Sequence, residues 1–418
     1  MGQNEKYWTA DVSSLSKEQV KAKLWEELRL KADIGTKGIT ISENALNAIH
    51  QDESFRGQKL GGGRNRKLYK GKDLPGCVYL PYGLKVTFTW NETSSYVVEL
   101  VNGKHTLTYE GKSLGEIQYS KKLPYDGQTS SDGVPLDLIG HADYYDQHVI
   151  ISYSNECSYK ERDEDCLFCN INYNKDLYTE KFGPYWRTPL QVAETVKAAF
   201  EHGVANHATL TGGVVAERRE LEYYVDAGEE IAKALGVETF NGTATVAAPT
   251  DFSNIHKLKE AGFRTTAMNL ELWDKVFYEA VCPGKAHGSG GWDNWVKALE
   301  YAVGVFGWGR VRSNFVAGIE PMPRTLEGFE YLCGKGVVCS FNVWAPNVGS
   351  AFEGHRSPET EWYIEIATKL AEFWKKNGFT FDQIHDATAG DYRLPSDIFR
   401  IENEVFDIFK EAGKGAVA

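Results

Sequence analysis

From His148 onward the chain alternates strand-like and helix-like segments, and this repeat restricts the possible architecture more than any other feature. Apolar runs of the kind found in buried strands fall at Val149–Tyr153, Ala208–Leu210, Thr239–Ala247, Arg264–Leu270, Arg312–Ala317 and Val337–Val343. The segments between and after them carry a helical apolar period, predicting helices over 189–202, 220–235, 254–261, 292–306, 325–333 and 359–377. Several run into a glycine (Gly203, Gly236, Gly262, Gly378), as helix ends do. Consecutive strand–helix units build a parallel sheet covered by helices. The expected fold class is therefore α/β: a full or partial (β/α) barrel of the TIM type over residues 141–395.

A barrel of ~250 residues leaves ~150 of the 418 residues for an appendage. Ser16 and Gln19 have capping-box spacing ahead of a stripe of Val20, Leu24 and Leu28, so a helix starts there and should end near Gly35. Residues 59–70 are rich in Gly, Arg and Lys and read as a loop; Arg64 and Arg66 give phosphate binding a minor claim on it. Period-two segments at Tyr96–Val101 and Lys104–Tyr109 flank Asn102-Gly103, a strong signal for a two-residue hairpin. The expected division is an N-terminal helix and loop region (1–74), a small antiparallel appendage (75–140), the barrel (141–395) and a C-terminal helix (396–418). Residues 120–135 read as a linker, and 397–412 as amphipathic.

The formal charge of −12 repels phosphate backbones, so nucleic acid is not an expected partner. No apolar run is long enough to span a membrane. The first residues lack the apolar core of a secretion signal, and Lys6 stands where a myristoylation signal has Ser or Thr. The expected location is the cytoplasm, where Asn91-Glu-Thr and Asn241-Gly-Thr carry no glycan.

That compartment gives the cysteines their meaning. Three of the seven cluster in Cys157-Ser-Tyr-Lys-Glu-Arg-Asp-Glu-Asp-Cys166-Leu-Phe-Cys169, directly after the first strand of the alternating region. In a reducing compartment such a cluster points to metal or catalysis before disulfide. Cys166 and Cys169 lie within one turn of chain, and the residues from Lys160 to Asp165 are mostly charged and can stay in solvent. Three thiolates fit three corners of a 4Fe–4S cube or three sites of a zinc tetrahedron. A structural zinc site is closed by a fourth protein ligand. No fourth cysteine is near in sequence, and His141 and His148 lie at the other end of the strand.

With Phe168-Cys169 and Cys166-x-x-Cys169, this segment resembles the cluster motif of the radical S-adenosylmethionine (SAM) superfamily, in a biotin-synthase-like branch. The gap of eight residues after Cys157 departs from the usual three. The resemblance covers residues ~148–350 and implies three iron ligands, Cys157, Cys166 and Cys169, with one iron left for SAM. Thr211-Gly212-Gly213 resembles the Gly-Gly segment whose backbone holds the methionine amino group, with Val214 in place of the usual Glu. Asn269 and Glu271 resemble the polar pair on the SAM ribose, Glu320 resembles part of a later SAM-binding segment, and Trp344 and Phe168 fall where the family contacts the cofactor. The implied chemistry is reductive cleavage of SAM followed by hydrogen abstraction from a small-molecule substrate. A low-potential cluster of this kind implies a ferredoxin- or flavodoxin-type electron donor. Modification of a peptide or protein is the alternative within the family, and a non-catalytic zinc or iron–sulfur protein the alternative outside it.

Cys77, Cys282, Cys333 and Cys339 are scattered and read mainly as small buried hydrophobes. Cys282 and Tyr392 are the candidate catalytic side chains. Trp273, His355, Arg356 and Arg393 are candidate pocket residues, suggesting a small polar or anionic substrate.

Overall fold

The computed structural model describes residues 6–57, 68–154, 156–171, 186–215, 220–347, 349–387 and 393–414. The chain divides into two compact units. One comprises Leu123–Ser357 and Glu372–Arg393; the other comprises Gln3–Lys122, Pro358–Ala371 and Leu394–Ala418. The sequence places the barrel's start at 141, whereas the first unit already begins at Leu123. The C-terminal segment Leu394–Ala418 falls in the same unit as Gln3–Lys122. Among the described residues no helix is long and apolar enough to cross a membrane.

The second unit is built on the helix Lys17–Lys37, whose capping box at Ser16 and Gln19 is present. It runs past Gly35 and stops at Gly38, where φ is 75°. Val20, Leu24 and Leu28 are fully buried. On the same helix the buried Glu27 accepts backbone N–H groups of Tyr82 (2.6 Å) and Leu84 (2.9 Å). Lys31 forms a buried ion pair with Asp397, in the helix Leu394–Glu402. This contact fixes the C-terminal segment to the N-terminal helix within the unit. The expected hairpin is present as Tyr96–Val101 paired antiparallel with Lys104–Tyr109. Asn102 and Gly103 both take positive φ, the conformation this turn requires. The basic loop with Arg64 and Arg66 lies outside the described residues.

The first unit carries one seven-stranded sheet. Its strands are β1 (His141–Asp143), β2 (His148–Ser152), β3 (His207–Thr211), β4 (Phe240–Thr245), β5 (Phe263–Ala267), β6 (Val311–Ala317) and β7 (Val337–Val343). They lie side by side in chain order. β1 pairs antiparallel with β2, and every later neighbour is parallel. Between them lie a four-residue helix, Ser158–Glu161, in the loop after β2, and the longer helices α1 (Pro189–Glu201), α2 (Glu220–Leu235), α3 (Asn254–Glu260), α4 (Lys275–Val281), α5 (Pro283–Gly288), α6 (Gly291–Phe306) and α7 (Met322–Gly334). The result is a partial (β/α) barrel, its wall open because β1 and β7 are not paired with each other. Parallel strands put all their carboxyl ends on one rim, so the loops after β2, β3, β5, β6 and β7 share one end of the sheet.

The opposite rim carries a buried histidine cluster. His148 and His207 are register partners at the starts of β2 and β3. The His148 ring lies 4.5 Å from that of His207 and 4.9 Å from that of His385. His207 Nε2 contacts Thr243 Oγ1 at 2.8 Å, and its Nδ1 is 3.4 Å from Asp386. Arg310 pairs with the same carboxylate at 2.6 Å. Burial pulls His148 well below the ordinary imidazole pKa, and the nearby His207 and His385 add to this. Burial also lowers His207, against the opposing pull of Asp386. The folded chain therefore holds both rings neutral, while the unfolded chain takes up protons near pH ~6.5. Their contribution is full above pH ~6.5 and is lost as pH falls below it, by up to ~1.4 kcal/mol per pH unit for each ring. Urea denaturation should therefore show a midpoint that drops between pH 7 and pH 5.5, with a shallower drop in His148→Gln. A flat profile would mean that these rings take up protons in the folded state.

Candidate functional site

The three clustered cysteines stand at the carboxyl rim because of how β2 leaves the sheet. The chain after Ser152 stays beside β3: Tyr153 N–H donates to Thr211 O (2.9 Å), and Ser158 N–H donates to Val214 O (2.7 Å). Tyr153 Oη donates to Gly213 O at 3.0 Å. This contact has no room for side chains. A Cβ on Gly212 would lie 2.3 Å from the Tyr153 ring, and one on Gly213 would lie 1.7 Å from Glu156 O. The two glycines thus let the turn after β3 press against the backbone that delivers Cys157.

Cys166 and Cys169 are held by a separate set of backbone bonds. Cys169 N–H closes a turn onto Cys166 O (2.9 Å). Leu167 N–H donates to Val281 O (2.9 Å), and Gly284 N–H donates to Glu164 O (2.8 Å). These two bonds tie the cysteine loop to the α4–α5 junction on either side of Cys282. The loop after β7 adds two more: Phe352 N–H donates to Leu167 O (3.2 Å), and Asn347 Nδ2 donates to Phe168 O (3.3 Å). A hydrogen bond with Cys282, then burial, raises the Cys166 thiol far above its ordinary pKa. Burial, then the neighbouring Cys166, pushes Cys169 up to about 12. Cys157 is also raised, first by burial. All three are thiols in this state, so loading a metal must release their protons.

The donor set fits an iron–sulfur cube: three thiols on one loop, each within reach of the others' charge. A cube takes each thiolate on a separate iron. Among the described residues no three His, Cys, Asp or Glu side chains converge on a single ion position. The sequence shows no fourth cysteine near this loop, but the fold brings Cys282 against Cys166. Cys282 is fully buried at the end of α4. Cys77, Cys333 and Cys339 are buried and carry no disulfide; Cys77 contacts Ser120 Oγ at 2.9 Å, and Cys333 lies against Cys339.

The loop after β5 forms the next part of the rim. Glu271 takes φ of 72°, a left-handed conformation rare for its residue type and found mostly at functional sites. It is held there by Glu271 N–H to Asn314 O (3.1 Å) and Val316 N–H to Glu271 O (2.9 Å). Lys285 of α5 donates to Glu271 Oε1 and to Asn269 O, both at 2.7 Å, and lies over the Trp295 ring at 4.5 Å. Asn269 Oδ1 accepts Asn314 N–H (3.2 Å). Sequence reasoning missed Lys285, because it sits in a short helix, α5, that has no apolar period.

Other candidates have different surroundings. The buried Glu320 accepts the N–H groups of Trp273 (3.0 Å) and Asp274 (2.7 Å) and the Thr325 hydroxyl (3.0 Å), so its carboxylate holds the start of α4. Trp273 packs on Trp292 and Tyr331. Trp344 is buried with its ring 5.9 Å from that of Phe352. His355 and Arg356 are exposed. Arg393 binds the side chains of Asn314 and Ser340. Tyr392 lies outside the described residues.

Residues 151–319 match the family described as the radical SAM superfamily. Bacteriochlorophyllide c C-7(1)-hydroxylase of Chlorobaculum limnaeum is 29% identical over 300 residues, covering 68% of this chain and 73% of that protein. Among solved structures, methylornithine synthase aligns with a TM-score of 0.43 at 16% identity, over 60% of this chain and 69% of that one. Coproporphyrinogen III oxidase from Escherichia coli aligns with a TM-score of 0.36 at 12% identity, over 62% and 60%.

Proposed function

Since the chain belongs to the radical SAM superfamily through residues 151–319, we propose that it abstracts a hydrogen atom from a small organic substrate bound at the barrel's carboxyl rim. It is an enzyme, and its cofactors are those of the family, a 4Fe–4S cluster and SAM. When bound, they supply a 5′-deoxyadenosyl radical by one-electron cleavage of the sulfonium. The single observation that carries this reading is the anchored cysteine loop. Backbone bonds to Val214, Val281 and Gly284 position the chain around all three thiols. In this reading Cys157, Cys166 and Cys169 hold the cluster.

The remaining rim residues orient the second cofactor. Thr211, Gly212 and Gly213 form the turn beside Cys157 where an ammonium group would be received; Tyr153 already donates to the carbonyls of Thr211 and Gly213, which leaves their second lone pairs and the Gly212 carbonyl. Asn269 and Glu271 each commit one side-chain oxygen to the protein, to Asn314 N–H and Lys285. That fixes their rotamers while Asn269 Nδ2 and Glu271 Oε2 remain for ribose hydroxyls. Phe168 and Trp344 supply apolar surface near the same rim. Glu320 acts one step away, through the N–H groups it holds at Trp273 and Asp274. Electrons come from a ferredoxin- or flavodoxin-type donor. The hydroxylase name of the curated relative supports C–H chemistry on a small molecule rather than on a peptide, and a chlorin is the first substrate to try.

Anaerobic reconstitution tests the reading. The expected product is a brown protein with about 4 Fe per chain that forms 5′-deoxyadenosine from SAM and dithionite. Cys166→Ala should bind little iron and form none. Stoichiometric zinc without SAM cleavage would establish a binding protein in its place. Loss of the cluster in Cys282→Ala would make Cys282 a fourth ligand and leave no iron for SAM.

A further inference from the structure

The interior of a (β/α) barrel is ordinarily filled by bulky branched side chains. The inner face of this sheet carries His207, Thr243, Thr245, Arg312, Asn314 and Ser340, joined by hydrogen bonds across strands β3 to β7. Phe315, the next residue of β6, packs on Phe329 of α7, so Arg312 and Asn314 lie on the face away from that helix.

Arg312 is the anomaly in this set. It is 4% exposed. Its Nη2 donates to Thr245 Oγ1 at 3.2 Å. Its Nε and Nη1 are buried and have no hydrogen-bond partner. Burial, then the like charge of Arg393, pulls its pKa down to about 9, which leaves it positive at neutral pH. The nearby carboxylate, Glu271, is already bound by Lys285 at 2.7 Å. A buried cation with no carboxylate hydrogen-bonded to it costs several kcal/mol, and packing alone gives no reason to keep one inside a barrel. A planar guanidinium clasps a carboxylate along an edge that pairs Nη2 with Nε or Nη1, and here Nε, Nη1 and the second Nη2 hydrogen are all unused, so one such edge is open.

We infer that Arg312 binds a carboxylate of the substrate inside the barrel, so that the substrate of the proposed reaction is an organic anion. This rests on that reaction for the word substrate, and on geometry alone for the anion. SAM also carries a carboxylate. Arg312 stands level with the carboxyl ends of β4 and β5, beside Ala267, and its side chain reaches across to Thr245 and not to the turns that carry Cys157 and Gly213; the substrate is the assigned source, and SAM affinity separates the two.

The test uses the full chain, Arg312→Met and Arg312→Lys, with sodium formate as the probe and formamide as its uncharged match, at constant ionic strength. Without ligand, R312M should melt higher than wild type, because an unpaired buried charge has been removed. Formate should raise the wild-type midpoint in a saturable way, and formamide should not. R312M should lose that protection, and R312K should need at least tenfold more formate to reach it. SAM affinity, measured by calorimetry, should be unchanged in both variants. A lower midpoint or failed folding of R312M, or equal formate protection in wild type and R312M, would assign the arginine to structure and overturn the inference. A tenfold or greater loss of SAM affinity would move the carboxylate to SAM and overturn the substrate assignment. Formate protection needs no cluster, so a chain that takes up no iron sinks the proposed reaction while the anion result is read separately.

Discussion

Gly213→Ala should yield a protein that folds less stably and takes up little iron. The added Cβ would lie 1.7 Å from Glu156 O, a backbone atom that cannot rotate away. Overpacking of this kind typically costs 1–3 kcal/mol, and an immovable partner places this substitution near ~3 kcal/mol. The backbone that must yield is the segment immediately before Cys157, so the damage falls on the first thiol. Iron per folded chain and the denaturation midpoint should fall together. Gly304→Ala is the matched control: this helical glycine has nothing within 4 Å of its missing Cβ. It should gain ~0.5–1 kcal/mol from helix propensity and keep its iron. Full iron loading and an unchanged midpoint in Gly213→Ala would show that the turn after β3 does not support the cysteine loop.

The second large effect concerns Lys285. Its ammonium and the Glu271 carboxylate are both almost fully buried and 2.7 Å apart. Lys285→Met leaves Glu271 charged and unpaired, which typically costs ~3–5 kcal/mol. Lys285→Met combined with Glu271→Gln should recover most of that loss, because the orphaned charge is gone. Chemical denaturation of the four proteins in this cycle gives the coupling directly. Losses that simply add would mean that the two side chains do not act as a pair.

Much of the fold could be read from the sequence because buried strands and amphipathic helices announce themselves by period. The runs at Val337–Val343 and 220–235 coincide with β7 and α2, and the strand expected at Val149–Tyr153 is shifted by one residue from β2. Asn102-Gly103 specified its hairpin through turn chemistry alone. What escaped was short or long-range. β1 has three residues and exists through pairing with β2. α4 and α5 are short helices after β5 that hold the cysteine loop, and nothing periodic marks them. The contact of Cys282 with Cys166 joins distant parts of the chain, so spacing could not reveal it. Arg312 left a weak signal, a charge inside an otherwise buried strand, whose meaning depended on finding its donors without partners. Division of the chain into units also depended on pairings such as Lys31 with Asp397, which no local pattern encodes.

The anchors of the cysteine loop lie at Ser158 on one side and at Glu164, Leu167 and Phe168 on the other. Between them Lys160, Glu161, Arg162 and Asp163 are all exposed. The backbone here is nonetheless engaged: the N–H groups of Tyr159 and Lys160 face the Cys157 sulfur, and Lys160 N–H donates to Cys157 O at 3.1 Å. The unusual length of the motif thus folds into the short helix Ser158–Glu161, whose charged side chains meet water while its backbone steadies the first sulfur.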